Sequence, residues 1–383
     1  MTTIPIIDIS PLLALHSNNN TVNNNKNNDP NNVPIKQTIQ QLATACQTHG
    51  FFAIIHHGVN TDILSRAWDE SQRFFDLHPS IKTNVGMTEE YPYGYENYES
   101  LGVERSILVH DTNTRERDGG DGKDFARDKV EKRMSLGPDS KETFSIGPMN
   151  SIQSGMPSRR FPQGAPPSFD EALTDYYAAM EQLARTLFRG LALALDLNDD
   201  YFLREGIFDE GHQCALRILN YPELVEHEDV NRDEVRIRAG AHTDYGAMTI
   251  LKSGGPGLQL CLTPEEDDGA TWIDVPHMSE AFVINLGDLM QRWTNDRWRS
   301  TLHRVVAVFD KDWDERNQDE EGEASHVYRS QRRQSIAFFV NMNGDATVVP
   351  FETCVDKDHP RRYGPIKASE HLMQRHLRSM GKS

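Results

Sequence analysis

The sequence has no long apolar run. Its longest apolar stretches, such as Ala281–Leu286, fall far short of the roughly 20 residues that cross a bilayer, so no membrane partner is expected. Cysteine is scarce. The four present (Cys46, Cys214, Cys261, Cys354) form no Cys-x-x-Cys pair, which excludes a thiolate zinc site and a disulfide scaffold and fits a reducing compartment. Basic residues are in deficit: 40 Lys+Arg against 58 Asp+Glu give a formal charge of −18. That balance argues against nucleic acid and against anionic membrane surfaces, both of which call for clustered Lys and Arg. The stretch Met1–Ser10 has neither a basic n-region nor an apolar h-region, so no secretory signal is expected. No internal repeat is visible. These absences leave a soluble cytoplasmic protein.

What is present is chain length. At about 150 residues per domain, 383 residues allow two or three domains, or one large domain with long flanks, and an ample core. Pro5-Ile6-Ile7-Asp8-Ile9 reads as a short strand running into a turn at Ser10-Pro11. Asn18–Asn32 holds ten Asn in fifteen positions and has nothing to bury, so it reads as a disordered insertion. Gln37–Gly50 has helical spacing with Gly50 as its stop, Phe51–Ile55 is strand-like, and Thr61–Phe75 and Ser168–Leu195 read as helices. In the last of these Tyr176, Met180, Leu183, Leu187 and Leu191 share one face. Thr112–Arg133 is charged and Gly-rich, a surface loop.

From about Cys214 the pattern changes to short apolar or alternating segments separated by Gly, Pro, Asn and Asp, as in an antiparallel sandwich or barrel. The acidic segment Asp310–Gln331 interrupts the series, and Ile366–Met380 closes it as a helix. We therefore expect a mainly β protein with flanking helices: residues 1–165 as an N-terminal part with Asn-rich and charged insertions, 166–350 as a helix plus β core, and 351–383 as a helical tail.

The most informative stretch is Arg238-Ala-Gly-Ala-His242-Thr-Asp244-Tyr-Gly-Ala-Met-Thr-Ile-Leu251. Residues two apart on a strand share a face, so His242 and Asp244 point together while Thr243 points away. An imidazole and a carboxylate on one face are two legs of a divalent-metal site, and a second imidazole completes the facial set of non-haem iron. The tripeptide alone is not specific. His227-Glu-Asp229 has the same spacing, but it sits in an acidic run without strand pattern and reads as a solvated loop. For the third ligand, His303 lies directly before a Val-rich run, 59 residues after Asp244, and can return beside His242. A hydrogen-bonded core histidine is the bland alternative for it, and the remaining histidines read as structural or surface groups.

On Arg333-Gln-Ser335-Ile-Ala-Phe-Phe339, Arg333, Ser335, Ala337 and Phe339 share one face. An inward-facing guanidinium needs an anion, because burying one alone is costly. A ligand carboxylate held by Arg333 and Ser335 fits, and an internal salt bridge is the competing reading. Ser253-Gly-Gly-Pro-Gly257 lacks phosphate-loop spacing and reads as a turn. Trp272, Trp293, Trp298 and Trp313 read as core or edge packing.

In order and spacing these residues are similar to the isopenicillin-N-synthase-like branch of the iron(II)/2-oxoglutarate-dependent dioxygenases. The resemblance runs through Ile4-Pro-Ile-Ile-Asp8, Gly50-Phe-Phe with His57-Gly58-Val59, Lys141-Glu-Thr-Phe144 with Ile146-Gly147, and Pro157-Ser-Arg-Arg-Phe-Pro162. It continues through His242–Leu251, Asn285-Leu-Gly-Asp288, Trp293-Thr-Asn295, Ser300–Val305, Arg333–Phe339 and Tyr363-Gly-Pro-Ile366. It implies a double-stranded β-helix (jelly roll) core, with His242, Asp244 and His303 as iron(II) ligands. It implies Arg333 and Ser335 as the clamp on the distal carboxylate of 2-oxoglutarate, with Tyr221 donating to the same molecule.

The resemblance further implies oxidation of a small-molecule metabolite by O2 (hydroxylation, desaturation or ring closure) with release of succinate and CO2, in secondary metabolism and with no obligate protein partner. Thirty residues separate His303 from Arg333 where many members have about ten, and a lengthened hairpin at Asp310–Gln331 accounts for the excess. Pocket walls are expected from Tyr93–Leu101, Tyr245 and Phe339. The alternatives are an iron oxidase of the same fold that does not use 2-oxoglutarate, a non-catalytic jelly-roll binding protein, and a zinc hydrolase built on the same triad.

Overall fold

Alternation and helical periodicity place most elements where the pattern puts them. The computed structural model describes residues 3–17, 33–88, 90–97, 141–227, 235–263, 271–312 and 327–379. Asn18–Asn32, Thr112–Arg133, Asp229, Leu101 and Trp313 lie outside the described residues. The helices that matter here are α1 (Ser10–Ser17), α2 (Val33–Thr48), α3 (Thr61–Phe75), α4 (Phe169–Ala194), α5 (Asp288–Trp293) and α6 (Ala368–Ser379). The Asn60 side chain accepts from the Asp62 amide to start α3, satisfying one of the orphan donors of a helix N-terminus. After α2, Gly50 adopts φ +62, and a Cβ there would sit 2.1 Å from the Arg299 carbonyl oxygen; only glycine allows both the left-handed stop and that approach. At Ser10-Pro11 the expected turn is instead the start of α1: Pro11 falls in the first turn, where its missing amide costs nothing.

The strands are β1 (Ile6–Asp8), β2 (Phe51–Ile55), β3 (Gly94–Glu96), β4 (Glu142–Ile146), β5 (Ala215–Tyr221), β6 (Leu224–His227), β7 (Ile237–His242), β8 (Met248–Ser253), β9 (Leu258–Thr263), β10 (Thr271–Asp274), β11 (Phe282–Leu286), β12 (His303–Val306), β13 (Asp310–Asp312), β14 (Val327–Ser330) and β15 (Arg333–Val340). An eight-stranded sheet runs β1-β2-β11-β8-β15-β5-β4-β3, and a four-stranded sheet runs β10-β9-β12-β7. The first is not built from the C-terminal half alone. Four of its strands, β1 to β4, come from the first 165 residues, so the N-terminal half is woven into the β core and does not simply lean on it. Between His303 and Arg333, β13 and β14 pair with each other and add to β6 as a three-stranded sheet, which leaves β12 and β15 in their sheets.

Two apolar clusters lie on opposite faces of the large sheet. Outside it, α3 and α4 pack on Phe144, Ile146, Leu216, Ile218, Ile336 and Phe338. All five α4 residues expected on one face are buried there. Trp293 and Trp298 are also buried, each 1 % exposed. Inside, Phe51, Ala53, Leu219, Tyr221, Leu260, Val305 and Ala337 fill the space between the two sheets. Among the described residues no helix is long and apolar enough to cross a membrane.

Candidate metal and cosubstrate site

His242 ends β7 and His303 begins β12, and the two are direct partners across that antiparallel pair. Their rings stand 4.4 Å apart between centroids. Each Nδ1 faces a backbone carbonyl oxygen, Gly240 at 2.7 Å for His242 and Thr301 at 3.0 Å for His303. A carbonyl can only accept, so both Nδ1 atoms carry the proton and both Nε2 atoms keep a lone pair. Those lone pairs converge on one oxygen: Asp244 Oδ1 lies 3.9 Å from His242 Nε2 and 4.0 Å from His303 Nε2. The donor atoms of the three residues all fall within 4.8 Å of one another, a set that can hold a divalent ion.

The carboxylate is aimed by its other oxygen. Asp244 Oδ2 accepts from Asn285 Nδ2 at 2.7 Å and from the Thr249 hydroxyl, which leaves Oδ1 as the outward donor. Burial pushes the Asp244 carboxyl up, but the His303 and His242 imidazoles and these two donors outweigh it and hold the group below its ordinary range, so it is an anion at neutral pH. Burial and the facing His303 ring lower His242 below the usual imidazole value, which keeps it neutral. The loop carrying Asp244 is also pinned from outside. A Cβ at Gly287 would lie 2.2 Å from the Gly246 oxygen and 2.8 Å from the Asp244 oxygen, and the Asp288 amide donates to the Asp244 carbonyl at 2.8 Å.

Thr243 points away, as alternation requires, and bonds Asp288 Oδ2 at 3.0 Å. Asp288 also accepts from Ser300 at 2.6 Å and pairs with Arg375 Nε of α6 at 2.7 Å. The C-terminal helix thus braces the strand end that carries His242 and Asp244. Tyr245, expected in the pocket wall, stacks under Arg375 at 5.2 Å.

Arg333 opens β15, is 5 % exposed and sits directly opposite Tyr221 on β5. Its Nη2 donates to Ser253 Oγ at 2.7 Å, and its Nε donates to the Gly255 and Pro256 carbonyls at 3.3 and 3.1 Å. The Ser253–Gly257 segment is a turn, as its composition implies, but its carbonyls hold this guanidinium. Arg333 Nη1 is buried with no hydrogen-bond partner, and no carboxylate among the described residues pairs with it. The internal salt bridge that competed with a ligand is absent there. Ser335 is 2 % exposed on the same face.

Sequence reasoning passed over Arg238, which is 1 % exposed, four residues before His242, with its guanidinium 5.8 Å from the Tyr221 ring centre. Burial and the nearby Arg333 charge push it down to about 10. Two buried guanidinium groups therefore flank Tyr221, and Arg238, in the alternating run Val235-Arg236-Ile237-Arg238, carries no signal that distinguishes it from a solvent-facing Arg.

The comparisons with known proteins agree with this geometry. The family described as the 2OG-Fe(II) oxygenase superfamily matches residues 213–342, and the N-terminal family of non-haem dioxygenases in morphine synthesis matches residues 4–160. A 2-oxoglutarate-Fe(II) type oxidoreductase of Aspergillus fumigatus is 30% identical over 274 residues, covering 70% of this chain and 72% of the relative. A homoarginine-6-hydroxylase of Oryza sativa subsp. japonica is 28% identical, covering 98% of this chain and 96% of the relative. A full-length Neurospora crassa protein, solved in complex with alpha-KG and thymine, superposes with a TM-score of 0.69 at 25% identity, covering 98% of this chain and 97% of that one. The chain belongs to the 2-oxoglutarate–iron(II) oxygenase superfamily and is a 2-oxoglutarate-dependent non-haem iron dioxygenase with a jelly-roll core.

Proposed function

We propose that His242 Nε2, Asp244 Oδ1 and His303 Nε2 hold iron(II), and that Arg333, Ser335 and Tyr221 hold the distal carboxylate of 2-oxoglutarate. The observation that carries this is the buried, anion-free Arg333. A guanidinium 5 % exposed with Nη1 unbonded is costly unless a ligand carboxylate completes it. Three protein donors on one side leave the other coordination positions for ligands. With O2, the bound iron and 2-oxoglutarate supply the oxidising chemistry, and succinate and CO2 are released.

The chain's own share is positional: Gly240 and Thr301 fix the imidazole tautomers, Asn285 and Thr249 aim the carboxylate, and the apolar lumen around Phe51 and Val305 excludes water. The organic substrate is a small polar metabolite. The relatives support this, one named for homoarginine and one solved with thymine. We place the protein in the cytoplasm, where its four buried cysteines, none of them in a disulfide, stay reduced.

Anaerobic equilibrium dialysis tests the metal assignment. The expected result is one iron(II) per chain, lost in Asp244→Ala while the circular dichroism spectrum is unchanged. Undiminished iron binding in that variant contradicts it.

A further inference from the structure

Within the jelly roll, paired positions of β15, β5, β4 and β3 form rows that share one face. Arg333 opposes Tyr221, Ser335 opposes Leu219, and Ala337 opposes Arg217. Leu219 in turn opposes Thr143, and Arg217 opposes Ser145. Thr143 opposes Glu96. The alternating residues Phe144, Leu216, Ile218 and Phe338 go to the other face, under the helices. A second polar group therefore lines the same inner wall as Arg333 and Ser335: Thr143 and Glu96 in the row of Ser335, and Arg217 and Ser145 one row further on.

The side-chain contacts agree with that placement. Arg217 Nε donates to Ser145 Oγ at 2.9 Å, and its guanidinium lies 5.6 Å from the Phe339 ring centre. The Thr143 hydroxyl donates to Glu96 Oε2 at 3.3 Å. Among the described residues no carboxylate pairs with Arg217 and no cation pairs with Glu96. They do not neutralise each other either. With strands about 4.8 Å apart and a rise of about 3.3 Å per residue, their backbone positions are about 12 Å apart. Ser145 and Thr143 are 2 % and 0 % exposed, while Arg217 and Glu96 are half-buried, so the two charges stand on a buried polar floor. It continues the inner face that carries Arg333 and Ser335, through the pairing of β15 with β5 and of β5 with β4.

The geometry points to a dipolar substrate: a small molecule whose carboxylate is taken by Arg217 with Ser145 and whose cationic group is taken by Glu96 with Thr143. This rests on the dioxygenase reading above and names the substrate class of that site. A fixed cation and a fixed anion several ångströms apart select a zwitterion by charge and by length, and they reject a neutral or apolar molecule, which would leave both groups desolvated and unpaired.

The test is anaerobic calorimetric titration of the full chain loaded with iron(II) and 2-oxoglutarate. The probes are small zwitterions from L-lysine to L-homoarginine, with agmatine (no carboxylate) and thymine (neutral) as controls. At least one zwitterion is expected to bind about 10-fold or more tighter than both controls. Arg217→Leu should weaken that zwitterion by about 10- to 100-fold and leave agmatine unchanged, whereas Glu96→Gln should weaken both. Arg217→Lys, which keeps the charge but not the planar fork, should show a smaller loss, and it serves as the readout if Arg217→Leu does not fold.

Zwitterions binding no tighter than thymine would overturn the proposal, as would variants that leave zwitterion affinity unchanged. Loss of 2-oxoglutarate affinity in Arg217→Leu would overturn it too, by placing Arg217 in the cosubstrate site. Failure of the unmutated chain to take up iron(II) and 2-oxoglutarate would instead sink the reading it rests on.

Discussion

Two buried charges on opposite faces of one sheet, Glu142 and Arg333, are completed in opposite ways. On the helix-covered face, Glu142 of β4 is closed off: Lys82 Nζ pairs with its Oε2 at 2.7 Å, the Tyr95 hydroxyl donates to the same oxygen at 2.5 Å, and Asn220 Nδ2 donates to Oε1 at 2.8 Å. On the lumen face, two strands away on β15, Arg333 keeps an unbonded buried Nη1. Both residues belong to one sheet, whose side chains alternate between its two faces. The Glu142 charge is completed by the chain and serves the fold, whereas the open donor of Arg333 faces the lumen, where a ligand carboxylate can complete it.

The contrast is sharpest in paired substitutions. Lys82→Met strands the Glu142 carboxylate and should cost about 3–5 kcal/mol in urea-melt stability; a loss below about 1 kcal/mol would show that the closed network does not stabilise the fold. Arg333→Met should do the reverse. Removing an unpaired buried cation should leave stability unchanged or slightly raised, while 2-oxoglutarate affinity falls about 100-fold, read by calorimetry. A large stability loss with affinity intact would make Arg333 a structural residue.

Asn285→Ala leaves Asp244 Oδ2 with Thr249 as its remaining side-chain donor and should weaken iron(II) binding about 10- to 100-fold, measured by dialysis against a chelator. Unaltered affinity would mean the carboxylate is aimed by its backbone alone.

The smallest effect is on the helix side. Burial pushes the Glu181 carboxyl up, but His212 and Arg185 outweigh it and hold it down to about 2. A carboxyl lowered by folding from an ordinary 4.5 contributes stability above that pH and loses it as pH falls toward 2. Glu181→Gln should therefore flatten the acid limb of stability between these values by on the order of 1 kcal/mol, with no change in iron binding at neutral pH. A change in iron binding would join the two faces.

The parts of this arrangement that are local were legible in the sequence. His242 and Asp244 share a face because strand alternation decides it, and Thr61–Phe75 and Phe51–Ile55 have their limits written in apolar spacing and in Asn60 and Gly50. Arg333 and Ser335 were visible for the same reason. Pairing is non-local and was not visible. Nothing in Glu142–Ile146 says that it joins β5, so the N-terminal half concealed β3 and β4, and the pairing of β1 and β2 into the main sheet was hidden as well. Arg217 and Arg238 were hidden because one Arg in an alternating run reads as a solvent-facing residue until the strand across from it is known. The brace of Arg375 on Asp288 spans 87 residues of chain and leaves no trace in either segment.

The most direct measurement is an anaerobic titration of the iron(II)-loaded protein with 2-oxoglutarate, following the weak visible charge-transfer band of the chelate, in parallel with Arg333→Met. The expected result is a band that saturates at one equivalent in the unmutated protein and needs about 100-fold more 2-oxoglutarate in the variant. A band that forms equally well in both would contradict the claim that the open charge on the lumen face awaits the cosubstrate.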